Sequence, residues 1–293
     1  MANSQARLYV QNFQELITAV YNNKAYFGDF SAGGLQTQDG VRFNDTAFTV
    51  KTSDIPVVIG TYNTGENVAF GTGTANSSRF GNRTEIIYQD TAVPYQATWA
   101  IHEGIDRFTV NADLNQAVAD RLELQSEAKT QMLDNVTAEY ISENAGETLE
   151  LASLTIQNVS DLFDQLATYY VDLEVDREVV VKLKSEVYNF LVNSNLTVVE
   201  KRSGVNIDDN EVRKYKGFVI EVVPASKFQE GEYGYAYPRE VGKVFLGINT
   251  TRTIESEDFD GMALQGAGKY GTWALPANLP AIVKITVPAP VGP

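Results

Sequence analysis

The chain of 293 residues carries a formal net charge of −15, contains no cysteine and has a single histidine, His102. These counts exclude disulfides, thiolate catalysis and sulfur-ligated metals. The acidic balance argues against tight binding of nucleic acid through its phosphates, which needs a basic face. No apolar run in the sequence is long enough to span a membrane.

The first third of the chain predicts one helix and a long hairpin. Apolar residues recur at helical spacing over 5–27, which favours an amphipathic helix. Residues 45–59 and 84–101 are rich in β-branched residues and predict two strands. The loose residues between them make a large hairpin tip. A loop of that length in a compact domain is either functional or disordered.

A single long helix is predicted over 112–146. The segment contains no proline and no glycine before Gly146, and strong helix formers fill it. Asp113 is the expected N-cap residue, and Gly146 marks the expected C-terminal end. One face of the helix is expected to pack through a narrow apolar stripe, which consists of Leu114, Val118, Leu122, Leu124, Ala128, Met132, Val136 and Tyr140.

The rest of the chain alternates predicted strands with two shorter helices. The helices are predicted over 156–170 and 185–194, and the strands over 177–185, 217–224, 233–238, 243–257 and 281–287. This order of elements predicts an α+β fold with two lobes that interleave along the chain.

Three segments carry residues that could belong to a catalytic or ligand-binding motif. The glycine-rich segment 67–83 lacks both the closing lysine of a phosphate-binding loop and the spacing of a dinucleotide-binding one. His102 has no nucleophile nearby in sequence, so we interpret it as a locally hydrogen-bonded residue at a strand-to-helix junction. Glu255, Glu257 and Asp258 form an acidic group that could bind Ca²⁺ or Mg²⁺, or could be a solvated turn.

Four long stretches of the sequence, taken in order, carry a family resemblance. They are FNDTAFTVKTSDIPVVIGTY, SSRFGNRTEIIY, IHEGIDRFTVNADLNQAVADRLELQ and GINTTRTIESEDFDGMALQGAGKYG. They resemble the major capsid (major head) proteins of tailed bacteriophages. Their amino-acid sequence is most similar to the major head proteins of phages of Gram-positive bacteria such as streptococci and lactococci. The resemblance implies an α+β fold of the Hong Kong 97 capsid type.

The resemblance also implies a division of the chain into five segments. They are an N-terminal arm (1–33), an extended loop with its flanking strands (34–104), a peripheral domain with the spine helix (105–154), an axial domain (155–242), and a return to the peripheral domain with a C-terminal tail (243–293).

By the same resemblance, the expected function is structural and not enzymatic, with no cofactor and no metal. The chain would assemble with itself into pentamers and hexamers of an icosahedral head, which encloses double-stranded DNA by confinement and without sequence-specific binding. Expected partners are a separate scaffolding protein, a portal and decoration proteins, and no membrane. The protein would be assembled in the host cytoplasm and reside in the virion. Three alternatives stay open: a nanocompartment shell of the same fold, a metal-dependent hydrolase that uses the acidic group, and a phage tail or carbohydrate-binding module, which would be β-rich and lack the helix over 112–146.

The capsid interpretation also predicts contacts between subunits. The loop tip would adapt to differing neighbours, with arginines that pair with carboxylates of the next subunit. The predicted interface residues are Arg79, Arg83, Phe70, Phe80, Glu255, Glu257 and Asp258. Some related shells are crosslinked through a loop lysine, but no lysine occurs between Lys51 and Lys129, so no such crosslink is expected.

Overall fold

The computed structural model describes residues 20–21, 24–38, 45–53, 55–66, 68–69, 78–109, 114–193, 204–206 and 211–287. Most of the predicted helix 5–27 and the predicted N-cap residue Asp113 lie outside the described residues. The same holds for the C-terminal segment 288–293.

The described part of the chain contains strands and helices in a mixed order, which confirms the α+β class. The strands are β1 (Gln36–Gln38), β2 (Thr46–Thr52), β3 (Gln89–Pro94), β4 (Ala97–Asp106), β5 (Glu147–Glu150), β6 (Val179–Lys184), β7 (Gly204–Asn206), β8 (Glu211–Tyr215), β9 (Phe218–Val223), β10 (Glu232–Pro238), β11 (Gly242–Glu255), β12 (Gly261–Ala274) and β13 (Val283–Thr286). The α-helices are α1 (Leu114–Glu143), α2 (Ile156–Asp172) and α3 (Ser185–Asn193). All three helices confirm the helices predicted from the sequence.

The strand predictions differ from the structure in several places. The strand predicted over 45–59 ends at Thr52, and residues 84–88 of the second predicted strand belong to no strand. The sequence predicts none of β1, β5, β7, β8 and β12, and the glycines of β12 lower its strand propensity. Two of these glycines lie close to aromatic rings. A Cβ on Gly266 would lie 3.1 Å from the indole of Trp99, and one on Gly271 would lie 2.5 Å from the ring of Phe245. Two of the residues that weaken the strand signal therefore lie where an aromatic ring packs closely on the sheet.

The chain forms two compact units. The first consists of Met1–Arg42 together with Tyr95–Pro293, and the second of Phe43–Pro94. We call the second one the loop unit. It is narrower than the extended loop expected over 34–104, because β1 and β4 belong to a sheet of the first unit.

A seven-stranded sheet, in the order β5-β13-β10-β6-β9-β8-β7, holds the larger core of the first unit. β6 pairs with β10 on one side and with β9 on the other, and its residues are almost completely buried. α2 packs on this sheet, with the rings of Phe163 and Tyr215 edge to face and their centroids 4.8 Å apart. The side chain of Thr155 caps α2 by accepting the backbone N–H of Asn158 at 3.2 Å.

A four-stranded sheet, in the order β1-β11-β12-β4, forms the other part of the first unit, and α1 lies against β12 and β4. The long antiparallel pair β11–β12 is followed by β13, which belongs to the seven-stranded sheet. The C-terminal part of the chain thus contributes to both sheets. The lobes interleave along the sequence, as the order of predicted elements indicates.

The apolar stripe predicted for α1 is only partly correct, since Met132 and Tyr140 pack against the core but are only partly buried. Among its residues only Leu122 is buried, and Leu124 is 53% exposed. The buried face consists of Leu122, Gln125, Ser126, Lys129, Thr130, Leu133, Asp134, Thr137, Ala138, Ile141 and Ser142. Three hydroxyl groups on this face each donate a hydrogen bond to the backbone carbonyl four residues earlier, at 2.8–3.0 Å. They belong to Ser126, Thr130 and Thr137. These bonds let polar side chains lie in the interior at low cost.

Two charged groups on this face have partners far away in sequence. The carboxylate of Asp134 accepts the backbone N–H groups of Tyr26 and Phe27 at 2.9 and 3.1 Å, which joins the segment before β1 to α1. Burial raises the pKa of Asp134, and these two hydrogen bonds oppose the rise. The ammonium of Lys129 lies 3.7 Å from the ring centroid of Trp99 on β4, and burial lowers the pKa of Lys129 to about 7.

Candidate protein–protein interface

The loop unit has a paired base and two unpaired arms. β2 and β3 form an antiparallel ladder from Thr46 opposite Pro94 to Thr52 opposite Gln89. Beyond that ladder we call residues 56–62 and 82–88 the loop arms. Neither arm belongs to a strand, and their backbone groups make no hydrogen bond to any residue that the structure describes.

The loop arms expose large apolar side chains to solvent. Val57, Val58 and Ile59 are 89, 78 and 93% exposed. Further exposed side chains of the loop unit are Tyr62, Phe80, Ile86, Ile87 and Tyr88. A concentration of exposed apolar groups in one short segment marks a surface that another molecule covers. The candidate functional site is therefore a binding surface and not a catalytic pocket.

The tip of the loop unit is held together by Arg79. Its guanidinium donates to the backbone carbonyls of Val68 at 3.2 Å, Gly65 at 3.3 Å and Asn63 at 3.4 Å. The Arg79 carbonyl in turn accepts the N–H of Asn63 at 3.0 Å. The charged group also lies 6.0 Å from the ring centroid of Tyr62. Arg79 thus closes the tip by bridging its two sides.

The other predicted loop residues differ in their surroundings. Phe80 is 82% exposed, and its ring centroid lies 5.1 Å from that of Tyr62. Arg83 is exposed and makes no hydrogen bond or ion pair with any residue of the described ranges. Phe70 lies outside the described residues. The structure therefore leaves Phe80 and Arg83 available to a partner, whereas the donors of Arg79 already have acceptors.

The predicted acidic residues lie at the turn between β11 and β12, in the first unit. Glu255, Glu257 and Asp258 are exposed, and the turn is closed by a hydrogen bond from the N–H of Ser256 to the carbonyl of Gly261 at 3.0 Å. Within the described ranges, no three Asp, Glu, His or Cys side chains are grouped so that they could hold a metal ion. The geometry is that of a solvated acidic turn.

His102 and the helices give no sign of another kind of site. His102 lies inside β4 and not at a strand-to-helix junction, so that part of the sequence interpretation is wrong. Its Nε2 lies 3.3 Å from the side-chain nitrogen of Gln265 on the neighbouring strand β12. No helix within the described ranges combines the length and the apolar character that crossing a bilayer requires.

Comparison with solved structures shows the fold. The chain is similar to the capsid of the cyanophage P-SCSP1u (10% identity, 90% of this chain and 88% of that one, TM-score 0.65). It is also similar to the mature capsid of bacteriophage PhiM1 (10% identity, 90% and 87%, TM-score 0.64). A virus-like particle from Pyrococcus furiosus is similar as well (11% identity, 94% and 99%, TM-score 0.53). The chain therefore has the Hong Kong 97-type capsid fold, as the resemblance of its sequence implies.

Comparisons at the level of sequence add nothing further: no family model and no curated protein matches the chain. The likeness at 10–11% identity is therefore a likeness of fold. The closer resemblance to phages of streptococci and lactococci is not supported by these structures.

Proposed function

We propose that this chain is a major capsid protein, a structural and non-enzymatic subunit of a phage head. It assembles with itself into pentamers and hexamers of an icosahedral shell that encloses double-stranded DNA by confinement. The observation that carries the proposal is the capsid fold over nine-tenths of the chain together with exposed, unpaired loop arms. A single copy leaves those arms in water, whereas a neighbouring copy in a closed shell would cover them.

The segments take the roles that the family resemblance implies. Residues 1–33 are the arm, 105–154 hold the spine helix of the peripheral domain, and 155–242 form most of the axial domain. Interface contacts come from the loop unit, with Phe80, Arg83 and the tip that contains Phe70, and from the acidic turn at 255–258. The exposure of Phe80 and Arg83 supports this role, and Arg79 contributes to it by fixing the shape of the tip.

The partners and location follow from the same proposal. A separate scaffolding protein, a portal and decoration proteins join the shell, assembly takes place in the host cytoplasm, and the finished protein resides in the virion. The host is a prediction from the amino-acid sequence, which resembles the major head proteins of phages of Gram-positive bacteria. Virions recovered from a streptococcal or lactococcal host that contain this chain would confirm it.

A nanocompartment shell of the same fold is the alternative. The similarity to a virus-like particle from Pyrococcus furiosus shows that this fold is shared beyond the two phage capsids, but with a lower TM-score than theirs. The two functions differ in content, because a phage head contains DNA and a nanocompartment contains protein cargo. Particles purified from infected cells after nuclease treatment distinguish them by the nucleic acid that remains protected.

The proposal is tested by the assembly state of the purified chain, expressed together with its genomic neighbours. We expect rings of five or six subunits or closed shells in electron micrographs, and light scattering masses that are multiples of 32.3 kDa. Denatured shells should migrate as single chains, since no covalent crosslink is expected. A monodisperse 32.3 kDa species at every concentration, with those neighbours present, would contradict the proposal.

A further inference from the structure

A cavity of about 550 Å³ lies in the first unit, where the two large sheets come together. Its lining comes from the segment after α2, from the connection between β10 and β11, and from the end of β12 with the residues that follow it. Ligand pockets commonly have volumes of about 300–1,000 Å³ and occur where structural layers join. This cavity, which we call the junction cavity, has the size of a small-molecule site.

Much of the lining of the junction cavity is apolar and accessible. The larger apolar side chains are those of Leu173, Val175, Val241, Trp273 and Leu275. Leu173 is 38% exposed, and Val175, Trp273 and Leu275 are half-buried. Apolar surface that stays in contact with water inside a concavity is stabilised when the apolar body of a ligand covers it.

A tryptophan and a lysine lie side by side in this lining. Trp273 of β12 and Lys243 of β11 are direct partners in the antiparallel ladder, so their side chains lie on the same face of the sheet. The indole offers a large flat apolar surface, and the ammonium places a positive charge next to it. This pair matches a ligand that has an apolar body and a negative group close together.

Arg177 provides an anchor for such a negative group. Its Nη1 donates to the backbone carbonyls of Arg239 at 3.4 Å and Glu240 at 3.5 Å, and lies 3.7 Å from the carboxylate of Glu240. Its Nε and Nη2 make no hydrogen bond to any residue that the structure describes. Two neighbouring donors of a guanidinium are the pair that binds a carboxylate in a bidentate manner. Arg177 therefore keeps its carboxylate-binding edge open.

The charges of the lining favour an anion over a cation. The cationic side chains are Arg177, Arg239 and Lys243, and the anionic ones are Asp176 and Glu240. This local excess of positive charge occurs in a chain whose net charge is −15. A concave site lined by an excess of one sign of charge attracts ligands of the opposite sign.

We propose that the junction cavity binds a small organic carboxylate with an apolar or aromatic body. The carboxylate accepts hydrogen bonds from Nε and Nη2 of Arg177, and the body covers the indole of Trp273. Lys243 adds attraction for the negative charge. The inference goes beyond the proposed function and does not depend on it, since the whole site belongs to one copy of the chain.

Tryptophan fluorescence tests the proposal, with 4-phenylbutyrate as the probe. The chain has two tryptophans, and Trp99 is buried outside the cavity, so Trp99→Phe leaves Trp273 as the only reporter. We expect a saturable change in emission with one site per chain and a dissociation constant of about 1 mM or tighter. Trp273→Phe should lose the change. No saturable change with up to about 10 mM probe would overturn the inference.

Two further probes test the charge of the ligand. The alcohol 4-phenylbutanol has the same body without a charge, and 4-phenylbutylammonium has the opposite charge. Both should bind at least about tenfold more weakly than the carboxylate, because neither accepts a bidentate hydrogen bond from a guanidinium. Equal affinity for all three probes would contradict the assignment of an anion site.

Matched variants test the anchor. Arg177→Gln should weaken binding of 4-phenylbutyrate at least about tenfold. Arg107→Gln is the control, because Arg107 is also exposed and ion-paired with one carboxylate, that of Asp260 at 3.3 Å, but lies outside the cavity. Ala277→Phe places a ring in the cavity from an exposed position and should weaken binding as well. Unchanged affinity in both cavity variants would overturn the assignment.

Assembled shells distinguish a free ligand from a neighbouring copy as the occupant. Shells should bind 4-phenylbutyrate with the affinity of the unassembled chain. Binding that is present in the unassembled chain and lost in shells would mean that another subunit fills the cavity, which contradicts a small-molecule site. Failure of any of these tests leaves the capsid function standing, because none of them concerns the ability to assemble.

Discussion

Two short apolar stretches of this chain have similar residues and opposite surroundings. VVVKL at 179–183 forms most of β6 and is buried between β10 and β9. PVVI at 56–59 lies in a loop arm, where Val57, Val58 and Ile59 are 78–93% exposed. The first stretch has strands on both sides, and the second has none among the described residues. Local composition thus indicates that a stretch needs a partner but does not say whether the partner lies in the same chain.

This difference separates stability from assembly within one molecule. The seven-stranded sheet and its helices hold the larger apolar core of the first unit. The loop arms bury little apolar surface within a single copy, so they contribute little to its free energy of unfolding. Their apolar surface becomes useful only when another copy covers it. Substitutions in the two regions should therefore change different measurements.

The largest effect is expected from a buried charge in β6. Val181→Asp places a carboxylate in the core of the seven-stranded sheet, where Val181 has no exposed surface, and should cost about 4 kcal/mol or more. This is a large fraction of the stability of a typical domain. Val58→Asp in the loop arm is the matched variant and should change the free energy of unfolding by less than about 0.5 kcal/mol. Urea denaturation of the unassembled chain, followed by circular dichroism, measures both.

The same pair of variants has a second readout in assembly. Val58→Asp should give a folded chain that forms no shells, because the charge would have to be buried against a neighbouring copy. A Val58→Asp chain that assembles as the unmodified chain does would show that the loop arms are not covered in the shell.

An intermediate effect on the free energy of unfolding is expected from Lys129. It tests how strongly the interior beneath α1 disfavours a charged side chain. Burial lowers the pKa of Lys129 from its ordinary 10.5 to about 7. Between these values the unfolded chain binds more protons than the folded one, so stability should rise as the pH rises from about 7 towards 10. Lys129→Met should remove this contribution and should be more stable than the unmodified chain by about 1–2 kcal/mol at pH 7 and below.

The pH profiles of the two chains provide the check on Lys129. The difference between their free energies of unfolding should shrink as the pH rises through that window, and contributions from other groups cancel in the difference. Parallel profiles would mean that Lys129 keeps its ordinary pKa in the folded chain.

The smallest effect concerns backbone strain in the two units. Glu240 follows β10 with φ at 59°, and Ala69 in the loop tip has φ at 70°, a region that favours glycine. Glu240→Gly should raise the free energy of unfolding of the first unit by about 0.5 kcal/mol. Glu240→Ala is the control, since it removes the carboxylate and keeps the strain. Ala69→Gly should leave that unfolding transition unchanged, and an equal gain from both glycines would show that the two units unfold together.

The helices could be predicted from the sequence, whereas part of the sheet could not. α1 is predictable because no proline or glycine interrupts strong helix formers before Gly146. Its buried face is not, because Asp134 and Lys129 are stabilised by Tyr26, Phe27 and Trp99, which are distant in sequence. β12 is missed for a related reason, since the rings that pack on its glycines belong to other strands.

For the site, the sequence predicts the position of the loop but not how its residues are used. The run of small polar residues at 67–83 indicates an exposed tip, and Phe80 and Arg83 are exposed. Arg79 was expected to reach a neighbour, yet its donors bind carbonyls 11–16 residues away in its own loop. The arms were predicted as strands because their composition is that of a strand. The composition alone does not show that, among the described residues, no strand pairs with the arms.

A density map of the assembled shell at side-chain resolution is the most direct measurement of the central claim, that the loop arms are covered by a neighbouring copy. The account predicts that 56–62 and 82–88 are in contact with another subunit, with the side chains of Val57, Val58 and Ile59 removed from solvent. A shell in which these arms face solvent in every copy would contradict it.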